Sequence, residues 1–258
     1  AGYTTHTCTC GDSYVDSYTD ALGHSYEDGV CTRCGMKPSG SGTCGENATW
    51  KLEDGTLTIS GTGNMEDIDR ADAQPWRDVR DAVISVVIED GITNISSFAF
   101  KYFSSLKSIT ISGTVTSIGD YVFDDCPKLE SITVDESGET YCSENGVMFN
   151  KGKTMILVYP AGKQESEYQI PESVQVIGDR AFEGCSNLVS VSIPDGVTDI
   201  GYCTFSGCTR LISVNIPKSV TSISAYVFRS CESLTDIVIP DGVTSIGYYS
   251  FAYNPNLS

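Results

Sequence analysis

One spacing governs this chain. Ile177, Ile200, Ile223 and Ile246 stand 23 residues apart, and Phe182, Phe205, Phe228 and Phe251 keep the same step, as do Leu188, Leu211, Leu234 and Leu257. Cys185, Cys208 and Cys231 form a further column, in which Asn254 takes the next place. Upstream the step recurs at Ile95 and Ile118, Phe100 and Phe123, and Leu106 and Leu129, with Phe103 standing where Cys126 follows. Ile118 and Ile177 are 59 residues apart, one period plus an insertion of 36, so six units are present. A unit this short cannot bury its own apolar face, whereas a stack of them can. The expected architecture is a solenoid.

Within a unit, Leu211, Val214 and Ile216 alternate like a strand with one face inward, and Pro217 ends it because proline cannot donate to a ladder. The stretch from Phe205 to Cys208 reads as one helical or 3₁₀ turn. The fold class expected is therefore a β-rich solenoid of stacked rungs with short turns between strands. These residues resemble the BspA-like leucine-rich repeat surface proteins, which implies a leucine-rich repeat solenoid, rich in parallel β-strands. The match is the run Ile193, Pro194, Val197, Ile200, Gly201, Phe205, Cys208, Leu211. The insertion, from Tyr141 through Val147, Phe149 and Met155 to Tyr159, resembles one found in that family and reads as a β-hairpin around a Gly/Lys turn. Residues 42–65, with Pro75 and Trp76, resemble the family's N-terminal cap. The domain plan is a Cys/His module at 1–38, a linker and β cap at 39–82, and the solenoid at 83–258 with its hairpin near 135–168.

Charge excludes several functions. Lys and Arg number 16 against 34 Asp and Glu, a formal charge of −18, so a phosphate backbone is repelled and nucleic acid is not an expected partner. No apolar run is long enough to cross a bilayer. Only His6 and His24 exist, which removes histidine acid–base chemistry from the repeats. The chain opens at Ala1 and stops at Ser258 in mid-pattern, as a trimmed piece of a longer protein would.

The Pro-Asp-Gly elements at 194–196 and 240–242 are turn chemistry. Asp67, Asp69, Asp72 and Asp78 fall short of a calcium loop, because Asp72 stands where glycine is needed. Gly61 and Gly63 lack the lysine of a phosphate loop. The cysteine column is expected as free buried thiols, since parallel Cβ vectors one rung apart do not approach closely enough for a disulfide. Phe98, Tyr121, Arg180, Cys203, Tyr226 and Tyr249 form a row three places after the column isoleucines, read as packing on the outer side, with stacking on a glycan or peptide as the alternative. Solenoids bind through their broad sheet, so the candidate binding residues are the outward ones: Ser108, Thr110, Ser131, Thr133, Ser190, Ser192, Ser213, Asn215 and Asp236. They form a field of small polar groups with no nucleophile beside a base, which suits protein contact and not catalysis.

Residues 1–38 lack the period and hold Cys8, Cys10, His24, Cys31 and Cys34. A Cys-x-x-Cys-Gly turn is a zinc knuckle, and five candidate ligands compete for the four places of one structural zinc. Cys31, Cys34 and Cys10 lead, with Cys8 or His24 fourth; two disulfides would staple the segment equally well. Ser39 to Gly42 reads as a flexible joint. The family resemblance implies a non-enzymatic, extracellular or cell-surface bacterial protein that binds protein partners on a host, a matrix or another surface, with glycan an additional possibility. The rival reading is a structural spacer or scaffold within a larger secreted protein.

Overall fold

The computed structural model describes residues 25–33, 35 and 37–258, with the backbone of two antiparallel strands at Thr4–Thr7 and Ser13–Asp16. The chain divides into two compact units, one of Ala1–Ile109 with Ser117–Cys126 and one of Thr110–Thr116 with Pro127–Ser258. Both are built from stacked rungs, and the fold is the β-rich solenoid that the period predicts and the leucine-rich repeat resemblance implies.

In the first unit, strands Gly40–Thr43, Ala48–Glu53 and Thr56–Gly61 run antiparallel, and Ser85–Ile88 then pairs parallel with the last of them. Ala48, Trp50 and Leu52 alternate inward, as a one-faced strand requires. The expected joint at 39–42 is instead part of this sheet: Gly40 pairs with Leu52 and Gly42 with Trp50. The glycines are there because the indole lies across them; a Cβ at Gly42 would come within 2.8 Å of Trp50 Nε1. The 3₁₀ segments Ala71–Ala73 and Arg77–Ala82 occupy the stretch of aspartates. Between them Trp76 opens the aromatic column, stacked on Phe100 at 5.8 Å and donating Nε1–H to Ala99 O at 2.8 Å. Gln74, also buried, donates Nε2–H to Phe98 O and Lys101 O.

In the second unit, the insertion is a three-stranded meander. Tyr141–Glu144 pairs antiparallel with Val147–Asn150 across a two-residue turn, Asn145 and Gly146, both left-handed as the favoured hairpin turn demands. Val147–Asn150 then pairs antiparallel with Met155–Val158, which itself begins the parallel back sheet with Val176–Ile177 and Asp199–Ile200. The expected hairpin is present, with one strand more than the alternation revealed. The front sheet runs Glu167–Gln169, Ser190–Ser192, Ser213–Val214, all parallel. Phe182, Phe205 and Phe228 are wholly buried, stacked in file at 5.1 and 5.6 Å, with Tyr159 before Phe182 at 5.1 Å.

The turn between back and front strands departs from a helix. It makes i→i+3 bonds, such as Cys208 N–H to Phe205 O, but two residues in each turn are left-handed. One column is Phe98, Tyr121, Arg180, Cys203, Tyr226 and Tyr249; the other is Tyr102, Asp125, Gly184, Gly207, Ser230 and Tyr253. This conformation costs a non-glycine residue on the order of 1–2 kcal/mol. What it gains is a third ladder. Cys203, Phe205 and Gly207 donate their amides to Ala225, Val227 and Arg229 of the next rung, so turns stack as strands do.

Candidate functional site

The front strands place the outward residues as their alternation dictates. Thr110, Thr133, Ser192, Ser213, Asn215 and Asp236 are exposed, and Ser108, Ser131 and Ser190 half-buried. Their inward neighbours Ile109, Ile132, Val191 and Val214 are buried, so the backbone beneath these side chains is fixed. Not all belong to one field. The amides of Ile132 and Val134 are taken by Gly146 O and Ser143 Oγ of the meander, and Gly146 lies against Ser131. The strand bearing Ser131 and Thr133 is thus in a different sheet from Ser190, Ser192 and Ser213. Asn215 is tied down: its Nδ2–H donates to Ile193 O at 2.8 Å while Oδ1 accepts from Ile193 N–H at 3.1 Å. It extends the ladder where the strand ends. Val238, outward by the alternation, is 74% exposed, and Ile212, which the alternation did not single out, adds apolar surface at 48%.

The turn wall carries most of the ring chemistry. Phe98 stacks on Tyr121 at 5.0 Å and Tyr226 on Tyr249 at 5.5 Å, nearly parallel in both cases. The Arg229 guanidinium lies over Tyr226 and Tyr253, at 5.6 and 5.3 Å, and that of Arg180 over Tyr202 at 5.2 Å. Face-to-face rings cover one another, so these two pairs pack within the row, while Tyr249 stays 57% exposed. The signal available in the sequence was Gly184 and Gly207 in the second column, where glycine marks a left-handed place.

The thiol column is a hydrogen-bonding column. Cys126, Cys208 and Cys231 donate S–H to Phe100 O, Phe182 O and Phe205 O of the preceding rung, at 3.1, 3.1 and 3.2 Å. Cys185 does the same to Tyr159 O, and Asn254 uses Nδ2–H on Phe228 O. All four cysteines are free. Burial holds their thiols protonated, pushing Cys126 and Cys231 up to about 12 and raising Cys185 and Cys208 as well.

Of the metal candidates, Cys31 is 2% exposed at the end of the hairpin Tyr26–Glu27 and Val30–Cys31. Gly35 N–H closes back on Cys31 O at 2.9 Å with Gly35 left-handed, the turn a zinc knuckle would use. Cys8, Cys10, His24 and Cys34 lie outside the described residues. Among those described, no three His, Cys, Asp or Glu side chains converge on a metal position, and no helix is long and apolar enough to cross a membrane.

Against known proteins, the family model for the BspA type leucine rich repeat region matches residues 80–152 and 161–258 in 6 copies. None of the curated proteins matches. Among solved structures, the pneumococcal vaccine antigen PcpA superposes with a TM-score of 0.60 at 17% identity, over 85% of this chain and 80% of that one. A leucine rich cell surface protein from Faecalibacterium prausnitzii gives 0.47 at 20%, over 85% and 93%. A leucine-rich repeat protein from Eubacterium ventriosum gives 0.32 at 22%, over 84% and 95%. The spacing, the stacked rungs and the matched copies agree, and the chain belongs to the BspA-type leucine-rich repeat family.

Proposed function

We propose that this protein is a non-enzymatic, extracellular or cell-surface bacterial module whose front sheet presents an adhesion-type surface to a protein partner. The observation that carries the reading is the sheet Glu167–Gln169, Ser190–Ser192, Ser213–Val214, a parallel array that turns Glu167, Gln169, Ser190, Ser192 and Ser213 outward while Val191 and Val214 are buried and Tyr168 packs against the core. Such a face offers hydrogen bonds and shape without chemistry. The cell-surface and vaccine-antigen descriptions of the similar structures support the location. A panel of immobilised matrix and host-surface proteins, probed with the whole chain, tests the idea. For a partner that binds, Ser192→Arg with Ser213→Arg should weaken binding by roughly tenfold or more, since a buried mismatched charge is costly. Binding that survives this pair but is lost on Tyr226→Ala would move the surface to the turn wall. No binding anywhere on the panel would favour the spacer reading.

The N-terminal module, in the same proposal, holds one structural zinc on Cys31, Cys34 and Cys10 with Cys8 or His24. The knuckle turn at Cys31 and Gly35 supports it. Elemental analysis of protein purified without added metal should give about one zinc per chain, released as pH falls because protons compete for thiolate. A disulfide from Cys31 to Cys8 or Cys10 would overturn it.

A further inference from the structure

The insertion does more than decorate the solenoid. The hydrophobic cluster of the later rungs begins at Val147 and runs through Phe149, Ile156 and Tyr159 into their columns. Leu129, Ile132 and Val134 are buried too, yet they are not members of that cluster. Val147–Asn150 is buried on both faces: Val147 and Phe149 enter the cluster while Met148, pointing the other way, is 1% exposed outside it. The front ladder is broken at the same place, because the meander takes the amides of Ile132 and Val134 and a new front sheet opens at Glu167–Gln169. The back sheet and aromatic column of the later rungs also start here, with Met155–Val158 and with Tyr159, whose ring meets Phe182 at 5.1 Å and Tyr168 at 4.8 Å. Lys163 pins the tip of the meander, donating Nζ–H to Asn145 O at 3.0 Å. These are the duties that Trp76 and the β cap perform for the first unit.

We infer that the insertion is an internal cap, and that residues 139–258 fold and unfold as a cooperative body distinct from the first unit. Rungs in a solenoid are coupled through nearest-neighbour interfaces, so cooperativity weakens where the core cluster ends and the parallel ladder gives way to three hydrogen bonds, Ile132 N–H to Gly146 O, Val134 N–H to Ser143 Oγ and Gly162 N–H to Leu129 O. The two tryptophans give a clean readout, because Trp50 and Trp76 are the only ones in the chain and both lie in the first unit. The whole protein is taken through urea while tryptophan fluorescence follows the first unit and hydrogen exchange of peptides from 177–257 follows the second. Phe149→Ala should speed exchange in 177–257 by roughly tenfold or more and leave the fluorescence midpoint in place; Phe100→Ala should do the reverse. Phe149→Leu repeats the test where the alanine variant loses the second unit outright, and native fluorescence beside full exchange then still supports the cap. Either substitution moving both readouts by the same amount would overturn it, since one cooperative body has one transition.

Discussion

Phe205→Ala tests the rung-to-rung packing where it is most complete. The ring is 0% exposed and lies between Phe182 at 5.1 Å and Phe228 at 5.6 Å. Removing a buried phenylalanine costs about 3–5 kcal/mol, the spread reflecting how far neighbours can collapse. Here they cannot collapse far. Phe182 N–H is held by Thr204 O and Phe205 N–H by Val227 O, at 3.0 and 2.9 Å, so the rungs on either side keep their separation and the cavity stays open. The upper half of the range, about 4–5 kcal/mol, is expected. Phe205→Leu refills most of the volume and loses chiefly two stacked pairs, at about 0.5–1.5 kcal/mol each, or about 1–3 kcal/mol. Urea unfolding followed by far-ultraviolet circular dichroism, with hydrogen exchange of the later rungs, reads both variants against an unchanged m-value. An alanine variant less than about 1 kcal/mol weaker would refute the packing, and a leucine variant as costly as alanine would refute the division between cavity and stacking.

Three further outcomes follow from the turns and buried polar groups. Ser230 and Gly207 share the second left-handed column, with φ of 56° and 75°; Ser230→Gly should raise stability by about 0.5–1 kcal/mol, and Gly207→Ala, whose added Cβ would meet Gly184 Cα at an ordinary 3.6 Å, should lower it by about 1–2 kcal/mol, both read from thermal unfolding. The raised thiols of Cys126 and Cys231, about 12 when folded against 9.0 as the ordinary value, contribute stability that is complete below pH 9 and is lost as pH climbs toward 12; stability in a denaturation series across that window should fall above pH 9, and fall less steeply in the Cys126→Ala, Cys231→Ala double variant, where the raised thiols of Cys185 and Cys208 remain. Tyr159 carries a buried hydroxyl without a partner, so Tyr159→Phe should leave stability unchanged or raise it, measured by the same unfolding curves.

The architecture was legible because the residues that specify it are read every 23 places, and a column fails only if most of its members fail. Where the signal was single, the sequence misled or stayed silent. Gly40 and Gly42 have the composition of a joint, yet serve as strand residues because an indole needs the room. Asn215 has the look of a free polar group, yet its amide completes a backbone ladder. The extra strand Tyr141–Glu144 lacks apolar alternation, since its register is fixed by the Asn145-Gly146 turn and not by burial. The second left-handed column hid behind tyrosine, aspartate and serine, residues that φ above zero disfavours to different degrees.

That column also indicates where function resides in such a chain. A left-handed bulky residue persists only where its surroundings fix it, and in the turns at Phe98, Arg180, Cys203 and Tyr226 three amide bonds to the next rung do the fixing. Side-chain identity is then free: one column holds phenylalanine, tyrosine, arginine and cysteine on the same backbone. The front columns behave alike, with Ser192, Asn215 and Val238 at one place over an unchanging core. Buried columns, by contrast, repeat isoleucine, phenylalanine and leucine because each must fit the rung before and after it. A rigid backbone with variable outward columns separates the cost of folding from the choice of partner. On the binding role proposed above, specificity would be set by which outward columns a partner reads, and by the meander that ends one front sheet at Val134 and lets the next begin at Glu167.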